Sequence, residues 1–279
     1  MRERIEPEHI DRSVGEGSGT EMSKEGLEYF LAEGGRRIEE FEIEKGEREI
    51  EIINFVDQAL AKYHEQYGRQ KKLVFPKENT HILKDGGLKE YSYGSSEGGA
   101  HSSKLGSVVV DRVPSDILFA TILFHEKAHM NAYQAIQSTT PNAEGEQDIT
   151  MYRGGFEVAS RDGKVHYFKD IEEALVAHLS ERFIREKILP SSLFDENPTE
   201  KEIKEFTSRE WEQSELNELV DDLWQNNQAE YTNRDEIMEL FIEAQITGKL
   251  LKVARLIEKT YGKGSFREMG ELTSEKVED

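Results

Sequence analysis

The segment PSDILFATILFHEKAHMNAY, residues 114–133, constrains this chain more than any other. Ser115 after Pro114, with Asp116 next, marks a helix start: a hydroxyl at the N-cap and an acid in the first turn meet the unpaired N–H groups and the positive end of the helix dipole. Ile117, Leu118, Ala120, Thr121, Leu123 and Phe124 follow. That run is too apolar for a solvent-facing helix, so the spacing predicts a long and largely buried one. Its second half carries His125-Glu126-Lys127-Ala128-His129. Residues i and i+4 of a helix project from one face about 5–6 Å apart, and two imidazoles so placed can meet one ion at about 2.0–2.1 Å. Glu126 lies about 100° round the axis from His125. It is placed to take a proton from a water held there, whose pKa a zinc ion would bring towards about 7. Lys127 reads as pointing away into solvent. The bland alternative is a surface helix with two accidental histidines, and the apolar residues before the motif argue against it.

Two histidines do not complete a catalytic zinc site; a third protein ligand is needed. The chain has no cysteine, so that ligand is a His, Asp or Glu. The extended metzincin pattern would put Gly at 132 and His at 135, where this chain has Ala132 and Ala135. Candidates are His81, His101, His166 and His178, the loop acids Glu144, Glu146 and Asp148, and Glu172 and Glu173 on a following helix. Glu173 is preferred. In DIEEALVAHLSERFIREKIL the polar side carries His178, Arg182, Arg185 and Glu186, while the opposite arc carries Val176, Ala177, Phe183 and Ile184 and holds both glutamates. A carboxylate on an apolar arc needs a partner, because burying it alone is costly. Small Ala177 and Ser180 below Glu173 leave room for close helix approach, and Glu172 over Val176 and Leu179 is the fallback. The competing reading pairs Asp170 with Glu173 as a capping box.

The 279 residues suffice for one large domain or two modest ones. A formal net charge of -21 argues against a nucleic-acid partner, because phosphates would be repelled. No apolar h-region stands at the N-terminus and no apolar run nears the ~20 residues that span a bilayer. The expectation is a soluble cytoplasmic chain without a membrane partner. Residues 1–46 read as a flexible acidic segment, 47–190 as an α+β core, and 191–279 as a helical C-terminal subdomain. Residues 47–68 predict a helix, and EGLEYFLAEG allows a short one before it. KLVFP, THILK, KEYSYG and GSVVVDRV read as strands, GSSEGGA (94–100) as a loop, and MYRGGFEVASRDGKVHYF as two strands turning at Arg161, Asp162 and Gly163.

With HExxH on one helix and Glu173-Ala174-Leu175 on a later one, residues 47–190 resemble the gluzincin metallopeptidases. The resemblance implies a zincin-like fold: a small twisted sheet packed on the HExxH helix and on a glutamate-bearing helix. It implies Zn2+ held by His125, His129 and Glu173, with Glu126 as general base against a peptide or protein substrate. It also implies an oxyanion donor, commonly a downstream Tyr or His; Tyr231 is preferred over Tyr261, His178 and Tyr152. The substrate would add as a strand to a sheet edge bordered by residues 94–101. The thermolysin type keeps its glutamate about 20 residues after the second histidine in an Asn-Glu-x-x-Ser-Asp context; this chain does not, which leaves subfamily and substrate open. Two other readings stand beside this one. One is a catalytically inactive zincin-like protein acting as an interaction or regulatory module, and the other an acidic helical binding protein with no metal. Within the chain, His178 reads as a solvated surface residue, Arg153 as a plain hairpin charge, and Trp211 and Trp224 as helix-packing residues. His9 lies in the acidic N-terminal segment and is a minor candidate for masking the cleft.

Overall fold

Residues 11–14, 40–69, 79–91, 98–102, 107–138, 149–161, 164–207 and 209–276 are described in the computed structural model. Two sheets flank the helices. The first has the order β2-β4-β3, from β2 (Thr80–Leu83), β3 (Gly99–Ser102) and β4 (Ser107–Asp111). β2 runs parallel to β4 and β3 antiparallel to it, so β3 is an edge. The second sheet follows chain order through β1 (Arg12–Val14), β5 (Gln134–Ser138), β6 (Ile149–Gly154), β7 (Glu157–Ala159), β8 (Val165–Tyr167) and β9 (Glu275–Lys276). β1 lies parallel to β5, and the other pairs are antiparallel.

The helices are α1 (Glu47–Gln66), α2 (Gly87–Tyr91), α3 (Asp116–Asn131) and α4 (Lys169–Phe183), the last continued by a wider π turn over Ile184–Ile188. After them come α5 (Glu200–Thr207), α6 (Glu210–Asn226), α7 (Arg234–Thr247), α8 (Leu251–Tyr261) and α9 (Ser265–Leu272). α3 is the central rod. Ser115 caps it, its hydroxyl accepting from Leu118 N–H at 3.1 Å, a contact worth about 1 kcal/mol. Arg48 and Arg112 both pair with Asp116 in its first turn. Phe124 stacks on Phe183 of α4 at 4.3 Å and meets Tyr63 of α1 edge-on. Only Leu118, Ile122, His125 and Glu126 remain partly open on this helix after Asp116, and spacings of i, i+4, i+7 and i+8 put them on one stripe. A single hydrophobic cluster runs from Ile52 of α1 to Ile257 of α8, so the C-terminal helices share the core of the preceding elements. Among the described residues no helix is long and apolar enough to cross a membrane.

Several sequence expectations change. Within the segment 1–46, Arg12–Val14 form β1, and Glu42 bridges to Leu83. The stretch read as a loop at 94–100 supplies Gly99 and Ala100 to β3. Part of KEYSYG, read as strand, lies in α2, where Leu88 is fully buried and donates its N–H to Asp111 Oδ1 at 2.7 Å. Residues 149–167 form three strands, because Gly155 at φ 56° turns the chain between β6 and β7. Lys127 is fully buried and paired with Asp57 of α1, since its position faces α1 and not water. Trp224 packs against the core, but Trp211 is 61 % exposed: nine residues before buried Val220, it lies about 180° round α6. KLVFP, EGLEYFLAEG, His9, Asp162 and Gly163 lie outside the described residues.

Candidate metal centre

α3 presents His125 and His129 one turn apart, and α4 crosses it with Glu173 facing both. His125 Nε2 and His129 Nε2 are 3.2 Å apart. Glu173 Oε2 lies 3.6 Å from the first and 3.7 Å from the second. Donors at the corners of a tetrahedron around an ion at about 2.0–2.1 Å stand about 3.3–3.4 Å from one another, so the three atoms already outline three such corners. Glu173 Oε2 is buried and has no hydrogen bond of good geometry among the described residues. It stands 3.4 Å from Arg209 Nη2, at the start of α6. These three side chains could hold a metal ion.

The chain enters α4 from β8 through Phe168, which is packed in the core with φ 62° and serves as the N-cap residue. A left-handed bulky residue is uncommon and costs about 1–2 kcal/mol, which the surrounding packing offsets. The helix therefore starts at Lys169, with Asp170 inside it and not at the cap. Glu172 and Glu173, adjacent in sequence, divide between two tasks. Glu172 is buried; its Oε1 lies 3.2 Å from His129 Nδ1 and accepts from Gln245 Nε2 of α7 at 3.0 Å. Its Oε2 accepts from the Phe156 N–H at 2.6 Å. A carboxylate behind a ligating imidazole fixes the ring and its tautomer. Gly155 makes this possible, since a Cβ there would stand 2.2 Å from Glu172 Oε2. Gln134 Nε2 adds a bond to the His129 carbonyl at 2.9 Å.

Burial opposes charge on His129, yet the carboxylates of Glu173 and Glu172 outweigh it and hold the imidazole well above its ordinary range. Burial likewise penalises ionised Glu173, and the two histidines reverse this and hold its carboxyl far below the carboxylate range. Glu126 follows the same pattern: burial raises it, but the His101 hydrogen bond and the surrounding imidazoles bring it below its ordinary value.

The structure thus brings together His125, His129, Glu173 and, beside them, Glu126. The other candidates go elsewhere. His81 pairs with Glu42 and His166 with Glu157. Glu144, Glu146 and Asp148 lie outside the described residues. His101 reaches the site as the partner of Glu126, its Nδ1 2.9 Å from Oε2. His178 is largely shielded from solvent, and burial, with Arg182 nearby, lowers its pKa. Arg153 donates to the carbonyls of Gly155, Gly248 and Ala244, tying β6 to the end of α7. Tyr231 packs partly buried on the core between α6 and α7, and Tyr261 donates to Asp222 at 2.5 Å. Among the described residues, the hydrogen bonds and ion pairs of the trio's side chains run to one another, Glu172 and Arg209, and none reaches Tyr231, Tyr261 or Tyr152. Sequence reasoning missed the roles of Glu172, Gln245 and His101. The one available signal was a second acid beside Glu173. No protein-family model, curated protein or solved structure matches the chain.

Proposed function

We propose that the chain is a zinc-dependent metallopeptidase of the gluzincin type. The observation that carries this reading is the convergence of His125 Nε2, His129 Nε2 and Glu173 Oε2 at 3.2–3.7 Å with a glutamate one residue along the helix. Two imidazoles and one carboxylate without thiolate are the donor set of a catalytic zinc site that keeps its fourth corner open. When bound there, zinc would supply Lewis-acid polarisation of a substrate carbonyl and acidify a water.

The residues divide the remaining work. Glu126, on the open stripe of α3 and held ionised, takes the proton of the attacking water and returns it to the leaving amine. Glu172 keeps the His129 ring turned towards Glu173. Arg209 Nη2, 3.4 Å from Glu173, adds positive charge at the rim of the site. Among the described residues β3 pairs on one side only, with β4, and its other side would take an extended peptide. Tyr231 remains the hydroxyl proposed for the oxyanion.

The test is metal content by plasma mass spectrometry on the purified full chain, with hydrolysis of a quenched-fluorescent peptide library. One zinc per wild-type chain, loss of zinc in His129→Ala, and retained zinc without hydrolysis in Glu126→Gln are expected. A chain that takes up no zinc when supplied with it would overturn the reading. Zinc retained together with no hydrolysis by the wild type would favour the inactive, regulatory zincin-like protein.

A further inference from the structure

We propose that His101 is a positioning residue that aims Glu126, so that the edge strand β3 and the base act as one unit. This rests on the reading of Glu126 as the base. Residues 99 and 101 of a strand share a face, and in β3 both address Glu126. Gly99 does so by having no side chain: a Cβ there would stand 2.8 Å from Glu126 Cγ and 2.7 Å from Ile122 Cγ2. His101 does so by its Nδ1, 2.9 Å from Glu126 Oε2.

An ionised carboxylate only accepts, so the shared proton belongs to Nδ1 of His101. The ring is held from a second direction as well, stacked on His129 with centroids 4.9 Å apart and planes 12° apart. A side chain fixed by both stacking and a charge-assisted hydrogen bond has little freedom left, and neither has the carboxylate it holds. Glu126 would otherwise swing on a long side chain at the one partly open stripe of α3. His101 contributes no atom to the trio, which separates its effect from metal binding.

The first test needs no substrate. Long-range 1H–15N correlation spectra of the full chain labelled in its histidines, recorded before and after one equivalent of zinc chloride and assigned against His101→Asn, should show a proton on His101 Nδ1. A bare Nδ1 with the proton on Nε2 would overturn the proposal. The second test compares His101→Asn, which keeps a donor near the Nδ1 position, with His101→Gln, whose donor lies near Nε2. Zinc affinity, read by competition with a chelating dye, should stay within about twofold of wild type in both. Hydrolysis of the peptide library should fall about tenfold or more in kcat with unchanged KM in His101→Gln and recover in His101→Asn. Equal losses in the two variants, or loss of zinc with either, would overturn the positioning role. Absence of zinc from the wild type would end the peptidase reading instead, and the tautomer spectrum would still decide the His101–Glu126 bond.

Discussion

Glu172 Oε1 stands 3.2 Å from His129 Nδ1 and holds the ring from the side opposite Glu173. The same carboxylate accepts from the Phe156 N–H and from Gln245, so it fixes a strand turn, a helix and a histidine at once. Glu172→Gln keeps the shape but exchanges an acceptor oxygen for an NH2 group. Zinc affinity should fall about 10–100-fold, read by competition with a chelating dye. Unchanged affinity would show that Glu172 serves the fold alone.

Gly99→Ala should separate metal binding from catalysis. The added methyl meets Glu126 and Ile122 below 3 Å, so either the carboxylate or the strand must shift. A displacement of that order costs about 100-fold in rate when the group is a base. Zinc should remain at one per chain. Hydrolysis within a few-fold of wild type would mean that β3 yields freely.

Burial drives the Lys127 ammonium pKa down, and the Asp57 charge opposes it. Removing one member of such a pair takes an opposite charge away from the other. Asp57→Ala should destabilise the fold by about 3 kcal/mol in urea unfolding, whereas Lys127→Met with Asp57→Leu should return close to wild type. Equal losses in the single and double variants would show that the pair's shape matters more than its charge.

His64 is buried, its Nδ1 lacks a hydrogen-bond partner among the described residues, and burial with the charge of Arg69 pushes it down to about 3. Between about pH 6.5 and 3 the unfolded chain therefore binds a proton that the folded chain refuses. The stability contributed by the neutral ring is present above about pH 6.5 and is lost at about 1.4 kcal/mol per unit as pH falls. Urea unfolding at pH 7 and pH 5 should show about 2 kcal/mol more loss in the wild type than in His64→Leu. Parallel losses in the two would refute this.

The helices that build the trio were legible because each combines an apolar arc with misplaced polar groups: two histidines in an apolar run, and two glutamates opposite Arg182 and Arg185. β3 was not legible. Its Gly-Ala-His-Ser sequence has little strand propensity; it is held by antiparallel pairing with β4, and Gly99 lets it approach Glu126, both tertiary facts. Lys127 misled for a related reason: a lone lysine in an apolar helix is solvated unless a partner 70 positions away is known. Local pattern identified the three side chains that the fold brings together. It was silent on much of what props them, because His101 and Gln245 come from 25 and 73 positions away from the carboxylates they reach.

Arg69 gathers Asp11, the carbonyl of Asn131 at the end of α3 and the carbonyl of Ile246 at the end of α7. With Gln245 beside it reaching Glu172, the last turn of α7 is what locks both ends of the arrangement. On a growing chain, Glu173 precedes Gln245 of that lock by 72 residues (245 − 173), and His129 and His125 precede it by 116 and 120 (245 − 129 and 245 − 125). Synthesis delivers the trio early and its support late, so in a nascent chain Glu172 is braced by both Phe156 and Gln245 only once α7 has emerged and docked.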